Sequence, residues 1–329
     1  LRLRQVLPGR LEATFGGGEL NVAVSIAHQG GQSAFLSSLP DNPLTDCLEQ
    51  EMRKFGVDTS LLRRIDRGRF GIYFVETGSN QRGGTVTYDR DGTSISIEDA
   101  AAYDFEAAWA GAGWLHITGI TPAISQAAAE AALAAVQAAS QAGLTVSCDL
   151  NFRSKLWNWQ PGTGTVELAR ETIRGLMPFI NVVIANEEDC DLCLGIRAEA
   201  TDVESGQLNI DAYQSVARQI VSEFSNVSTV AITLRESFSA SHNNWGAMLL
   251  DASTDTPYFA PLDSRGEYQP YEIRNIVDRV GAGDSFAAGL IFAMTTPELS
   301  EPETALQYAT AASCLKHHQA GSDRLETVR

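Results

Sequence analysis

The chain has 329 residues, 44% hydrophobic and 20% charged, with a formal net charge of −17. That is enough apolar material for one large core or two small ones, in an ordinary globular composition. The acidic balance argues against nucleic acid or an anionic membrane surface as partner, since both demand clustered Lys and Arg. No apolar run approaches the roughly 20 residues that span a bilayer. An anionic substrate would therefore need local arginines working against the global field.

The five cysteines, Cys47, Cys148, Cys190, Cys193 and Cys314, are odd in number and scattered. Free thiols in a reducing cytoplasm are the expectation. Cys190 and Cys193 have redox-like spacing, but with no second pair and no nearby His they read as core thiols. The chain opens Leu1-Arg2-Leu3 without Met. A missing native N-terminus, and with it a lost opening strand, is expected.

In chain order, Arg4–Phe15 reads as a strand. Phe15-Gly16-Gly17-Gly18-Glu19-Leu20-Asn21 is a Gly-rich loop entering a helix. Its glycines allow close backbone approach to a small ligand, and Asn21 offers both a donor and an acceptor. A tight helix entry without a ligand is the plainer alternative. Gly71–Glu76 and Thr85–Tyr88 form a hairpin around the turn-rich Gly78–Gly84, and Asp91-Gly92 leads into a further strand at Thr93–Ile97. A small antiparallel sheet of this kind, inserted into an α/β domain, is a candidate lid.

From Trp114 onward strands alternate with helices. Strands are predicted at Trp114–Thr118, Leu144–Asp149, Asn181–Ala185 and Thr229–Leu234. Helices are predicted at Ser125–Ala142, Thr165–Met177, Glu188–Leu194 and Ala212–Phe224. This rhythm defines an α/β fold with a doubly wound parallel sheet, whose ligands bind at the carboxyl ends of strands. Asp149–Arg153 and Asn186–Asp189 fall at two such ends. With no repeat or low-complexity linker, residues 1–329 read as a single domain with lid insertions at about 1–15 and 67–97. His116 reads as a core residue. The adjacent His317 and His318 point in different directions on a helix, and neither is given a catalytic role.

The most informative stretch is Asp278-Arg279-Val280-Gly281-Ala282-Gly283-Asp284, followed by an apolar helix. Gly281 and Gly283 let backbone N–H groups turn inward. The helix N-terminus adds unpaired donors and a partial positive charge, which favours a phosphate. Asp284 stands at the rim, placed to take a proton from a hydroxyl. A loop with an Asp helix cap is the alternative reading. The sequence has no Gly-Lys-Ser/Thr phosphate loop, no dinucleotide fingerprint, no His-Glu-x-x-His and no Gly-x-Ser-x-Gly, so those routes fall away.

These two Gly-rich loops, their order and the inserted hairpin resemble the ribokinase-type (phosphofructokinase-B-type) carbohydrate kinases. Gly17-Gly18-x-x-Asn21 resembles the family's first motif, and Asp278-x-x-Gly281-Ala282-Gly283-Asp284 its second. Asn186-x-x-Asp189 is similar to its Asn-x-x-Glu motif, with Asp in place of Glu. Three segments further resemble the members that phosphorylate 2-dehydro-3-deoxygluconate. One is Tyr73 with Tyr88-Asp89-Arg90, another is Asp149-x-Asn151-x-Arg153, and the third is Thr233-Leu234-Arg235 where the wider family has Thr-Leu-Gly.

The resemblance implies ATP-dependent transfer to the primary hydroxyl of a 2-keto-3-deoxy sugar acid. Asp284 would be the base, and Gly281, Ala282 and Gly283 the anion hole. Gly17, Gly18, Asn21, Tyr73, Tyr88, Arg90 and Arg153 would hold the sugar acid. Asn186, Thr233, Arg235 and Thr310 would lie at the nucleotide, although Thr310 reads equally as a plain helix residue. Mg2+ would be held largely through water near Asp189, and a monovalent cation such as K+ near Asp278. Chemistry adds its own argument for the acid, because a guanidinium binds carboxylate as a bidentate fork. Arg90 and Arg153 supply two, unless both are surface ion-pair residues. A kinase of a neutral sugar or nucleoside, and a non-catalytic sugar-acid sensor, remain the alternatives. A homodimer is expected, since exposed lid sheets pair at their edges.

Overall fold

Ser125 opens the most regular element of the chain. Its Oγ accepts the Ala128 N–H at 3.0 Å, capping a helix over Gln126–Gln141 as the sequence predicts. The buried face of that helix is Val136 and six alanines, so it can lie close against its neighbours. The computed structural model describes residues 2–6, 10–197 and 210–319. Residues 1 and 7–9 of the predicted lid segment lie outside the described residues.

The strands in chain order are β1 (Arg2–Val6), β2 (Arg10–Thr14), β3 (Ser37–Pro40), β4 (Leu62–Ile65), β5 (Ile72–Glu76), β6 (Thr85–Asp89) and β7 (Trp114–Thr118). There follow β8 (Thr145–Asp149), β9 (Val182–Ala185), β10 (Thr229–Ser239), β11 (His242–Asp251), β12 (Thr256–Ala260) and β13 (Tyr271–Arg274). The chain divides into two compact units: 1–97, 235–246 and 260–329 in the first, 98–234 and 247–259 in the second.

The second unit is built on a sheet of order β12-β11-β10-β9-β8-β7, in which β7, β8, β9 and β10 run parallel. Every residue of β9 is buried, as expected of a strand covered on both faces. Helices at Thr165–Leu176 and Ile210–Glu223 fall within a few residues of their predicted bounds. The fold is α/β with a central, mostly parallel sheet, as the strand–helix alternation implied. The segment predicted as a helix over Glu188–Leu194 is a single turn, Glu187–Asp189, running into a π-helix over Cys190–Leu194. Gly195, at φ 75°, ends it.

In the first unit the Gly18–His28 helix buries Leu20, Ala23 and Val24 against Leu48, Met52, Val57 and Phe70. Helices over Ala282–Thr295 and Pro302–Lys316 pack through small residues. A Cβ placed on Gly289 would stand 3.0 Å from Ala309 Cα. A small sheet of order β2-β1-β5-β6 carries the predicted hairpin. Its outer pairs are antiparallel, and β1 and β5 run parallel.

One predicted lid strand is absent. Ser94–Ile97 is a helical turn, although Thr93-Ser94-Ile95-Ser96-Ile97 alternates like a strand. Serine hydroxyls compete for backbone partners: Ser96 Oγ donates to the Thr93 carbonyl at 2.8 Å and Ser94 Oγ to that of Arg67 at 3.0 Å. Strand β10 extends five residues past Leu234. Strands β11–β13 were not predicted; in β11, Asn243, Asn244 and Gly246 dilute the β signal.

Gly119 follows β7 and donates its N–H to the Asp149 carbonyl at 2.8 Å. A Cβ there would lie 2.1 Å from the Leu150 carbonyl oxygen. Since the obstacle is backbone, Gly119→Ala should destabilise the fold by about 2–4 kcal/mol or displace the 149–151 loop. Denaturant unfolding checks this; a wild-type midpoint would contradict it.

Candidate functional site

In the first unit both Gly-rich loops become helix starts without a side-chain cap. Gly17 precedes the Gly18–His28 helix, and Gly281, at φ 89°, precedes the Ala282–Thr295 helix. The left-handed backbone at Gly281 is a conformation that a side chain resists. Gly283 is exposed on the first turn and Ala282 is buried beneath it. Asp284 also lies in that turn. Its Oδ2 accepts from Asn21 Nδ2 at 2.5 Å, across 263 residues of sequence. Asn21 is 3% exposed, and its own Oδ1 accepts the Gly17 N–H at 3.4 Å. Thus Gly17, Gly18, Asn21, Gly281, Ala282, Gly283 and Asp284 come together around one carboxylate and one open helix end.

Asp278 is buried, and its Oδ1 accepts the Val280 N–H at 3.1 Å. Thr310 is fully buried and donates its hydroxyl to the Leu306 carbonyl at 2.7 Å. Arg235 is exposed near the end of β10.

On the small sheet Tyr73 and Tyr88 are cross-strand partners with ring centroids 6.3 Å apart. Arg90 turns back over both, its guanidinium carbon 5.8 Å and 5.6 Å from the two centroids. Aromatic faces attract a guanidinium without consuming its hydrogen-bond donors. Arg90 Nε is buried and has no hydrogen-bond partner among the described residues. Such a group suits an anionic or hydroxylated ligand.

In the second unit Asp149–Arg153 follows β8 and Asn186–Asp189 follows β9. Asn151 holds a positive φ of 37° and donates Nδ2 to Asp149 Oδ2 at 3.1 Å. Asn186 caps its turn, Oδ1 accepting the Asp189 N–H at 2.8 Å. Asp189 Oδ1 accepts the Phe152 N–H at 3.1 Å, so the two strand ends are joined. Arg153 is exposed, and its charge acts on Asp189. Thr233, half-buried on β10, lies 3.5 Å from the Ala185 carbonyl.

Cys148, Cys190 and Cys193 are buried in this unit and form no disulfide. Burial raises the thiols of Cys190 and Cys193 well above their ordinary range, so they stay protonated and unreactive. Among the described residues no His, Cys, Asp and Glu gather as a metal centre. In the first unit His317 donates its Nδ1–H to the Ser313 carbonyl, 2.8 Å away. Burial first, together with neighbouring positive charge, lowers it to about 4, so it is a neutral core group.

Sequence reasoning missed three participants. They are the Phe152 amide, which Asp189 holds, and Arg279 with its partner Asn243, joined at 2.8 Å. Only Arg279 carried a signal, its place inside the second Gly motif.

The pattern of the pfkB family carbohydrate kinases matches residues 4–234 and 253–327. A 2-dehydro-3-deoxygalactonokinase of Haloferax volcanii is 30% identical over 93% of this chain and 82% of its own length. A 2-dehydro-3-deoxygluconokinase of Bacillus subtilis is 29% identical over 84% of this chain and 72% of its own. The crystal structure of 2-dehydro-3-deoxygluconokinase from Thermotoga maritima superposes with a TM-score of 0.85 at 38% identity, covering 98% of this chain and 92% of that one. With an α/β fold, these likenesses mark a carbohydrate kinase. The chain belongs to the pfkB family of carbohydrate kinases.

Burial pushes the Asp189 carboxyl up to about 6, against the backbone hydrogen bonds and the Arg153 charge that lower it. A carboxyl whose folded pKa exceeds its unfolded value of 3.8 costs stability when ionised; that cost is relieved as pH falls through about 6. Asp189→Asn keeps an acceptor for Phe152. It should stabilise the ligand-free protein near pH 7.5 by about 1–3 kcal/mol and flatten the stability profile between about pH 4 and 6. Urea unfolding of both proteins across that range checks this; an unchanged slope in the variant would assign the titration elsewhere.

Proposed function

We propose that this chain transfers the γ-phosphoryl group of ATP to the primary hydroxyl of 2-dehydro-3-deoxy-D-gluconate, giving the 6-phosphate. The observation that carries the reading is the Asn21–Asp284 hydrogen bond. It holds a carboxylate at the open N-terminus of a helix, where a hydroxyl and a phosphoryl group are both accommodated.

In the proposed mechanism Asp284 accepts the proton of the attacking hydroxyl. The N–H groups of Gly281 and Gly283 take up charge on the transferring group, supported by the helix dipole; the Ala282 N–H, expected to join them, donates instead to the Arg279 carbonyl at 3.3 Å. Phosphoryl transfer asks mainly for positioning and electrostatics. Asn21 orients Asp284, while Gly17 and Gly18 allow the sugar to approach the backbone. Arg90, backed by Tyr73 and Tyr88, is the first unit's candidate ligand for the substrate carboxylate; Arg153 is a separate candidate in the second unit. Within the first unit Arg235 and Thr310 are the candidate nucleotide contacts.

Asp189 in the second unit would hold Mg2+, which would supply positive charge toward phosphate oxygens. The donor set suits it only loosely: Asp189 is a single buried carboxylate with Oδ1 committed to Phe152. It would reach the ion through water, as Mg2+ often permits. Asp278 is the candidate for a monovalent cation.

The relatives named for 2-dehydro-3-deoxy sugar acids support the acid over a neutral sugar. The gluconate configuration follows the Thermotoga maritima likeness, and the galactonate-derived acid is its direct competitor. ADP release with MgATP should be rapid on the gluconate-derived keto-acid and weak on fructose, ribose or adenosine. Turnover on a neutral sugar instead would discard the arginine reading. Asp284→Asn should lower kcat by roughly 10²–10⁴-fold with sugar affinity little changed; a near-normal kcat would remove Asp284 as base. Arg90→Lys and Arg153→Lys, measured separately, should each raise the KM for the acid, since the planar fork is lost.

A further inference from the structure

Arg279 occupies the second Gly motif, yet its side chain leaves the anion-binding loop. Nε donates to the Ala240 carbonyl at 2.9 Å. Nη2 donates to the Ser239 carbonyl and to Asn243 Oδ1, the latter at 2.8 Å. All three acceptors belong to the turn between β10 and β11 or to the first residues of β11. All are neutral, so the guanidinium holds the turn without being neutralised by it.

That turn is itself fixed. Asn243 is fully buried and pairs with Ile273 of β13. The Asn80 carbonyl at the tip of the β5–β6 hairpin accepts the Ala240 N–H at 2.7 Å, and the Ile276 N–H reaches the Ser241 carbonyl at 3.1 Å. On the other side of Arg279, the Val277 and Asp278 N–H groups both point at the His317 carbonyl, at 2.9 Å and 3.4 Å. The loop leading to Gly281 is therefore held between the β10–β11 turn and the end of the last helix, with Arg279 as its side-chain tie.

A second guanidinium, Arg235, is carried by β10 itself, four residues before the strand ends. Burial, and then the charge of Arg235, hold Arg279 below its ordinary basicity. Neither arginine has a carboxylate partner among the described residues. A half-buried guanidinium whose acceptors are all neutral keeps its charge available to an anion. The open helix start at Gly281 lies two residues beyond Arg279 and favours the same kind of group.

We propose that Arg279 is a positioning residue for the nucleotide polyphosphate. It locks the β10–β11 turn, and with it Arg235, to the anion-binding loop, so that the Arg235 guanidinium and the loop N–H groups are presented in one fixed arrangement. The inference rests on the kinase reading for its anion, but not on which sugar is phosphorylated.

The test measures ADP affinity by calorimetry, alongside steady-state kinetics, for the intact chain and for Arg279→Ala and Arg279→Lys. For the alanine variant, ADP affinity is expected to fall roughly tenfold and kcat to fall with it, while the KM for the sugar acid stays within about twofold. Added guanidinium ion should restore part of the loss. The lysine variant should fall in between, because an ammonium cannot span the three acceptors. It also carries the test if the alanine variant does not fold. Unchanged ADP affinity in both variants would overturn the proposal. So would an equal loss for both substrates with a lowered melting temperature and no guanidinium rescue, which is the signature of packing alone. If the wild-type chain binds ADP but phosphorylates no keto-acid, the sugar-acid reading fails, and the affinity comparison still decides the role of Arg279.

Discussion

A helix offers its first N–H groups to a ligand only if nothing else has taken them. The Ala282–Thr295 helix begins at a left-handed glycine with no side-chain cap. Most helix ends are closed by a Ser, Thr, Asp or Asn, and this chain closes others that way at Asn42, Asp104 and Ser125. Leaving this end open sacrifices local stability for a fixed patch of positive potential. The surrounding contacts of the first unit serve that end. Asn21 holds the carboxylate beside it, and Arg279 fixes the loop that enters it. The last helix packs beneath it, with Ser313 Oγ donating to the Ala282 carbonyl at 2.7 Å.

The second unit meets a related constraint through its strand ends. A parallel sheet exposes the carboxyl ends of its strands to loops that must turn sharply. Here Asn151 adopts a positive φ and Gly119 approaches the Leu150 carbonyl more closely than any side chain would allow. Asp189 then joins the β8 and β9 ends through the Phe152 amide. Its burial is unfavourable for the charged form. The aspartate side chain reaches that amide from within the capped turn.

Local patterns were the legible part of the sequence. The Ala-rich helix announced itself through Ser125 and its composition, β7 through its apolar run, and the open helix end through two glycines and an aspartate. The α/β class followed from their alternation. What was hidden required partners distant in sequence. The alternating run at 93–97 looks like a strand until its serines find the carbonyls of Arg67 and Thr93. Strands β11–β13 are held by pairing to one another, as where Asn243 meets Ile273, rather than by their own propensity. At the site, the residue types were readable but not their bonds: Asn21 could be singled out, whereas its contact with Asp284 could not. Arg279 stood in plain view within a motif and read as filler, because its acceptors lie on a hairpin that had not been foreseen.

The packing of the two last helices has a consequence for variation in this chain. Gly289 lies further along the helix that bears Asp284, against the backbone of Ala309. No flexible side chain separates the two helices there, so neither can slide without the other. Their shared axis acts as a rigid mount, whose alignment is set at its far end. A change at Gly289 or Ala309 would thus shift the helix that carries Asp284, and drift at those two positions would be expected to occur in compensating pairs.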